Sequence, residues 1–140
     1  MTYKIKRTPK LHDTLELVSE NGNTVRKLDV EVDIGIISND ILAKYERFVK
    51  LNNELRELQK RGMKSDFNTV ALAFVNAVDE LLSMCFSDNV RLEIYEFFEN
   101  DYIEMVKQVV PYIVNRILPE SRRAANEQKK ALKQAFKRHL

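Results

Sequence analysis

Histidine, cysteine and clustered carboxylates are the side chains with which a small protein does acid–base, nucleophilic or metal chemistry near neutral pH, and this chain places them thinly. Its two histidines, His12 and His139, stand at opposite ends of the 140 residues, so a His-based general base or a triad is not expected. One cysteine and two distant histidines do not make the four-donor set that zinc takes. Cys85 lies in an apolar pattern with no base beside it in sequence, which reads as a core residue rather than a nucleophile. The carboxylates Glu93, Glu96, Glu99, Asp101 and Glu104 do cluster. A hard cation would need them convergent and ordered, and a solvated acidic surface is the expected reading. The chain has no CxxC, HExxH, Walker loop or GxGxxG. The expectation is a non-enzyme with no catalytic residue, no cofactor and no metal.

The elements that would position these residues begin with a β-hairpin over residues 14–34. Leu28, Val30, Val32 and Ile34 alternate with Asp29, Glu31 and Asp33, the period of a half-buried strand. Leu15 and Leu17 share the buried face of a first strand over 14–18, and Asn21-Gly22 supplies residues that tolerate positive φ in the connection. The acidic ladder reads as solvation or as protection of an exposed edge. A lone two-stranded hairpin is marginal in water, so it must pack on the rest of the chain or pair with another.

The remaining residues read as helix. After Gly35, with Ser38 or Asn39 as cap, Ile41, Leu42, Tyr45, Phe48, Val49, Leu55 and Leu58 recur at helical spacing to about Lys60. Arg61-Gly62 is a stop signal. A second helix, beginning after Ser65 or Asp66, is apolar around so much of its circumference that it should be central. Ser87-Asp88 opens a short third helix with Val90, Ile94, Phe97 and Phe98 inward. Asp101 and Glu104 form a capping box for a fourth, whose stripe is Tyr102, Val106, Val109, Val110, Ile113 and Ile117. Pro111 predicts a kink or break near Val109–Val110, and Pro119 predicts the end. The fold class is thus mainly α with a small N-terminal β-hairpin (α+β), four to five helices forming an irregular bundle. One domain spans 1–140, with a hairpin at 14–34, a helical body at 39–118 and a basic helix or mobile tail at 120–140. That tail has a thin apolar stripe of Leu132, Phe136 and Leu140.

At 44% hydrophobic and 31% charged, with three Gly and three Pro, the composition suits a helix-rich globule. No apolar run approaches the roughly 20 residues of a membrane span, and the start, "MTYKIKRTPK", lacks a signal-peptide core. A reducing, cytoplasmic setting is the expectation. The net charge of +2 conceals an asymmetry: residues 1–10 carry +4, residues 120–140 carry +5, and residues 11–119 carry −7. Such a molecule attracts an acidic partner or a copy of itself.

Three stretches in order, "LELVSENGNTVRKLDVEVDI" (15–34), "ILAKYERFVKLNNELRELQK" (41–60) and "FNTVALAFVNAVDELLSMCFSDNVRLEIYEFFENDYIEMVKQVVPYIVNRI" (67–117), resemble the tail assembly chaperones of long, non-contractile-tailed phages and prophages of Gram-positive bacteria. The likeness is one of element order and hydrophobic pattern. Many relatives have a Gly where this chain reads "SMCFSDN" (83–89), and the family pattern gives no guide to the basic tail. The resemblance implies a non-enzymatic protein that coats the tape-measure protein before tail-tube polymerisation, leaves as tube subunits arrive, and is absent from the mature virion. It implies the tape-measure protein, with the tail-tube protein beside it, as partners.

A chaperone for an extended helical client needs apolar grooves, modest affinity and many copies, and helices 67–86 and 89–117 are expected to border such a groove. Basic ends against acidic bodies favour a head-to-tail homo-oligomer. The expected partner-binding residues are Asp29, Glu31 and Asp33 on the hairpin and Arg122, Arg123, Lys129, Lys130, Lys133, Lys137 and Arg138 on the tail. The alternative is a small nucleic-acid-associated regulatory protein using the basic C-terminal helix, which lacks an aromatic platform. A third is a structural or adaptor subunit that stays in an assembly.

Overall fold

Alternation in the first third of the chain folds it on itself. The computed structural model describes residues 1–7, 9–62 and 64–139. Strands β1 (Leu11–Val18) and β2 (Thr24–Val32) pair antiparallel in a two-stranded sheet. Leu11 faces Val32, Asp13 faces Val30 and Leu15 faces Leu28, with an irregularity at Leu17/Val18. Leu28, Val30 and Val32 are buried, as the alternation requires. The connection is wider than a two-residue turn: Ser19 N–H donates to Asn23 O at 2.9 Å and Gly22 N–H to Ser19 O at 3.0 Å. Only Gly22 takes the positive φ there, at 84°, and Asn21 does not.

The second strand ends two residues early because Asp33 has another task. Its carboxylate accepts from Ile36 N at 3.3 Å and caps a one-turn helix, α1 (Ile34–Ile37), so Gly35 lies inside a helix and Ile34 is buried from it. Helix α2 (Ile41–Arg61) follows from Asp40, then α3 (Lys64–Cys85), which starts just ahead of the expected caps. The two are neighbours in a helical hairpin. Gly62 closes α2 in the left-handed region, φ 66°, its N–H reaching Gln59 O and Leu58 O. Gly62→Ala should therefore cost about 1 kcal/mol, read as a lower urea midpoint with unchanged slope; no loss would mean the turn relaxes freely.

Helix α3 is central as expected: Ala77, Val78, Leu81, Leu82 and Cys85 are buried. Ser87 caps α4 (Asp88–Phe97), its Oγ accepting from Val90 N, and Asp101 caps α5 (Tyr102–Tyr112) by accepting from Glu104 N at 3.2 Å. The "SMCFSDN" turn is made without glycine; Phe86 is buried there with its ring against Tyr112 at 6.2 Å. Met105, absent from the expected stripe of α5, is 1% exposed.

Neither Pro111 nor Pro119 ends the helix. The chain stays helical through Pro111, with no break at Val109–Val110: Ile113 N–H still reaches Val109 O and Val110 O. It also stays helical through Pro119. Residues Ile113–Ile117 form a π-helical turn, closed by Leu118 N–H to Ile113 O, and α6 (Leu118–His139) runs on from it. A proline in a helix removes one donor and crowds the carbonyl four residues back; a π turn spreads the carbonyls and absorbs the misfit without a stop. The expected boundary at 118–120 is thus replaced by one later on. Leu118, Ser121 and Ala124 are buried, with α6 resting on α1, and from residue 126 onward the described side chains are exposed. One apolar cluster runs from Leu11 in the hairpin to Ala124 in α6. Among the described residues no helix is long and apolar enough to cross a membrane.

Candidate docking surface

The acidic ladder of β2 is already engaged within the chain. Asp33, besides capping α1, takes Arg7 Nη2 at 2.9 Å, and Glu31 takes Lys10 Nζ at 3.1 Å. Asp29 is exposed and accepts from Thr14 Oγ1 at 3.4 Å. Two cations of the basic N-terminus therefore lie against the hairpin's acids, leaving the C-terminal end as the larger unneutralised positive region.

The hairpin is fastened to α5 and the π turn after it by a group that sequence reasoning missed. Asp13 sits on the same sheet face as Leu11, Leu15 and Leu17. It accepts from Tyr112 Oη at 2.7 Å and from Arg116 Nε at 2.9 Å and Nη2 at 3.3 Å. The Arg116 guanidinium, helped by the phenol and opposed by desolvation, holds the Asp13 carboxyl below the usual aspartate range; burial first, then the hydrogen bond to Asp13, pushes the Tyr112 phenol up. An acid at an apolar register position was the available signal. A parallel clasp joins α3 to α4, where Tyr95 Oη donates to Asp79 Oδ1 at 2.6 Å and Arg91 approaches the same carboxylate at 3.6 Å. Cys85 is 1% exposed and burial pushes its thiol up to about 12, so it carries little thiolate at neutral pH.

Helix α6 carries the expected basic residues, and all of them are exposed. Arg122 and Arg123 stand beside the body, where Arg123 meets Glu120 at 3.4 Å. Lys129, Lys130, Lys133, Lys137 and Arg138 lie beyond it; among the described ion pairs none of these five has a carboxylate partner. Leu132 and Phe136, one turn apart, are 62% and 71% exposed and form a shallow apolar furrow flanked by Lys129, Lys133 and Lys137. Leu140 lies outside the described residues. Eleven residues make just over three full turns, so Ser121 and Leu132 share nearly the same bearing, as do Ala125 and Phe136. The exposed stripe continues the face that packs on α1, past the edge of the body.

Two openings among the described residues lie elsewhere than between α3 and the helices after it. A cleft of about 770 Å³ opens where β1 and its turn meet α4 and α5. Its floor includes Leu17, Phe97, Phe98 and Val109; its lining holds five carboxylates, Glu16, Glu20, Glu99, Asp101 and Glu104, and no Lys or Arg. Glu16 has one distant cation, Lys27 Nζ at 3.7 Å. Three members of the expected acidic cluster thus converge on one rim, while Glu93 instead pairs with Arg26 at 2.9 Å. Glu99 and Asn100 hold positive φ, 51° and 60°, in the turn that sets this rim. A second groove, about 730 Å³, runs between α2 and α3 over Leu58 and Val70, edged by Lys50, Glu54, Glu57, Arg61 and Asp66.

Among the described residues no three His, Cys, Asp or Glu side chains form a group able to hold a metal ion. Comparison with family models, with curated proteins and with solved structures returns no match.

Proposed function

We propose that this chain is a non-enzymatic assembly chaperone of a long, non-contractile phage or prophage tail, which binds the tape-measure protein and keeps it soluble until the tail tube polymerises. The observation that carries the reading is the α2–α3 groove, an open apolar trough with both signs of charge on its edges. Such a trough suits one face of an amphipathic client helix. Mixed rim charges give a modest, sequence-tolerant affinity, as a protein that must later leave its client requires. The order of elements, a hairpin followed by a helical pair, a short helix and a long final helix, is the order on which the resemblance rests.

Co-expression with the tape-measure protein of the same gene cluster, followed by size-exclusion chromatography with light scattering, tests it. The expected result is a client that is soluble only in this chain's presence and co-elutes with several copies. The exposed basic face of α6 favours the alternative, a nucleic-acid-associated regulator. A client indifferent to the chain, with nucleic acid eluting alongside it and lost on removal of residues 126–140, would replace the chaperone reading with that one.

A further inference from the structure

We infer that the acid-rimmed cleft between the hairpin turn and α4–α5 is the docking site for the distal part of α6 from a second copy of this chain. The two surfaces match in chemistry. The cleft offers apolar side chains inside a rim of five carboxylates without a cation in its lining. The distal helix offers Leu132 and Phe136 between Lys129, Lys133 and Lys137 on one face. Seated there, the two apolar side chains leave water and the flanking ammonium groups reach the rim, the arrangement that sets orientation as well as affinity.

The helix cannot serve its own cleft. Val109 in the cleft lining and Phe136 on the stripe lie on one continuous helical run. At 1.5 Å per residue they are roughly 40 Å apart along it. The first turns of α6 are held against α1, with Ser121 and Ala124 buried, so the occupant comes from another molecule. The contact is heterologous, with a donor helix on one copy and an acceptor cleft on the next. A polyphosphate partner explains the lysines but leaves Leu132 and Phe136 against a charged backbone. The acidic ladder of the hairpin, the other candidate for a self-contact, has two of its three acids, Glu31 and Asp33, already met by Lys10 and Arg7.

Sedimentation velocity of the full chain, with no client present, separates this proposal from the chaperone reading. The wild type should associate with rising concentration at low salt and weaken by about tenfold or more towards 0.5 M salt. Two charge-reversed variants decide the site: Lys133→Glu with Lys137→Glu on the helix, and Glu99→Lys with Glu104→Lys on the rim. Each should remain monomeric alone, with an unchanged circular dichroism spectrum, and the equimolar mixture should associate. Phe136→Ser should weaken association by about tenfold or more. A wild type monomeric at every concentration, or variants that associate as it does, overturns the proposal. So does a helix that binds anionic vesicles or a DNA duplex while self-association is indifferent to both variants.

Discussion

Truncating Ile113 to alanine should remove about 2–5 kcal/mol of folding stability, the largest effect expected of any single change considered for this protein. Ile113 has no exposed surface, begins the π turn and belongs to the apolar cluster that also holds Leu28, Ile94 and Met105. The removed atoms leave a cavity in a packed interior, and a run tied to the hairpin through Tyr112 and Arg116, with Ile117 and Leu118 also buried, has little room to collapse into it. A domain of this kind is stable by about 5–15 kcal/mol, so the loss is a large fraction of the whole. Urea unfolding followed by circular dichroism reads it. Leu132→Ala, made at a side chain 62% exposed, is the matched control and should stay within about 0.5 kcal/mol. Equal midpoints for the two variants would show that the α5–α6 run is not packed as described.

Acid should loosen the hairpin's hold on α5 and the π turn, and Asp13→Asn should remove that sensitivity. Arg116 holds the Asp13 carboxyl below its ordinary value of 3.8. A folded-state pKa below the unfolded one stabilises the protein above the unfolded value, and the gain is lost as pH falls through the folded one. Near pH 7 the substitution should cost about 1–2 kcal/mol, at or below the low end of the range for hydrogen bonds to a charged group, because Arg116 is 46% exposed and solvent screens the pair. The gap should hold from about pH 7 to about pH 5, narrow as pH falls below the ordinary aspartate value, and close only once pH is below the folded-state value, where both present a neutral side chain to Arg116. Urea midpoints at pH 7, 5 and 3 measure the gap; one that stays constant across that range would mean Asp13 is not held as an ion.

Period and caps carried most of the fold in the sequence. The alternation of Leu28, Val30 and Val32, the caps at Ser87 and Asp101, and the stop at Gly62 are local signals, and local geometry obeys them. What stayed hidden depends on neighbours. Asp33 looked like one more rung of a strand because nothing local says that its carboxylate will cap Ile36. Pro119 looked like a stop because a π turn has no composition of its own, and only burial of Leu118, Ser121 and Ala124 makes continuing the helix favourable. The candidate site was half legible. The basic stripe could be read from its spacing, but the acidic rim draws Glu16 from β1, Glu20 from the hairpin turn, and Glu99, Asp101 and Glu104 from the α4–α5 junction. Residues some eighty positions apart meet only in three dimensions, and the α2–α3 groove is likewise a property of how two helices diverge.

The five-residue turn at Ile113–Ile117 also acts as an indexing device. Each α-helical residue advances the bearing of a side chain by about 100°, so the one additional residue held in a π turn sets back everything after it by that angle. The same rotation that brings Ser121 and Ala124 round to α1 sets the heading of Leu132 and Phe136 three turns further on. Internal fit and outward aim are therefore not separately adjustable in this chain: a change in the length of that turn would swing both together, and the apolar packing against α1 acts as the lock that keeps the distal stripe on its heading.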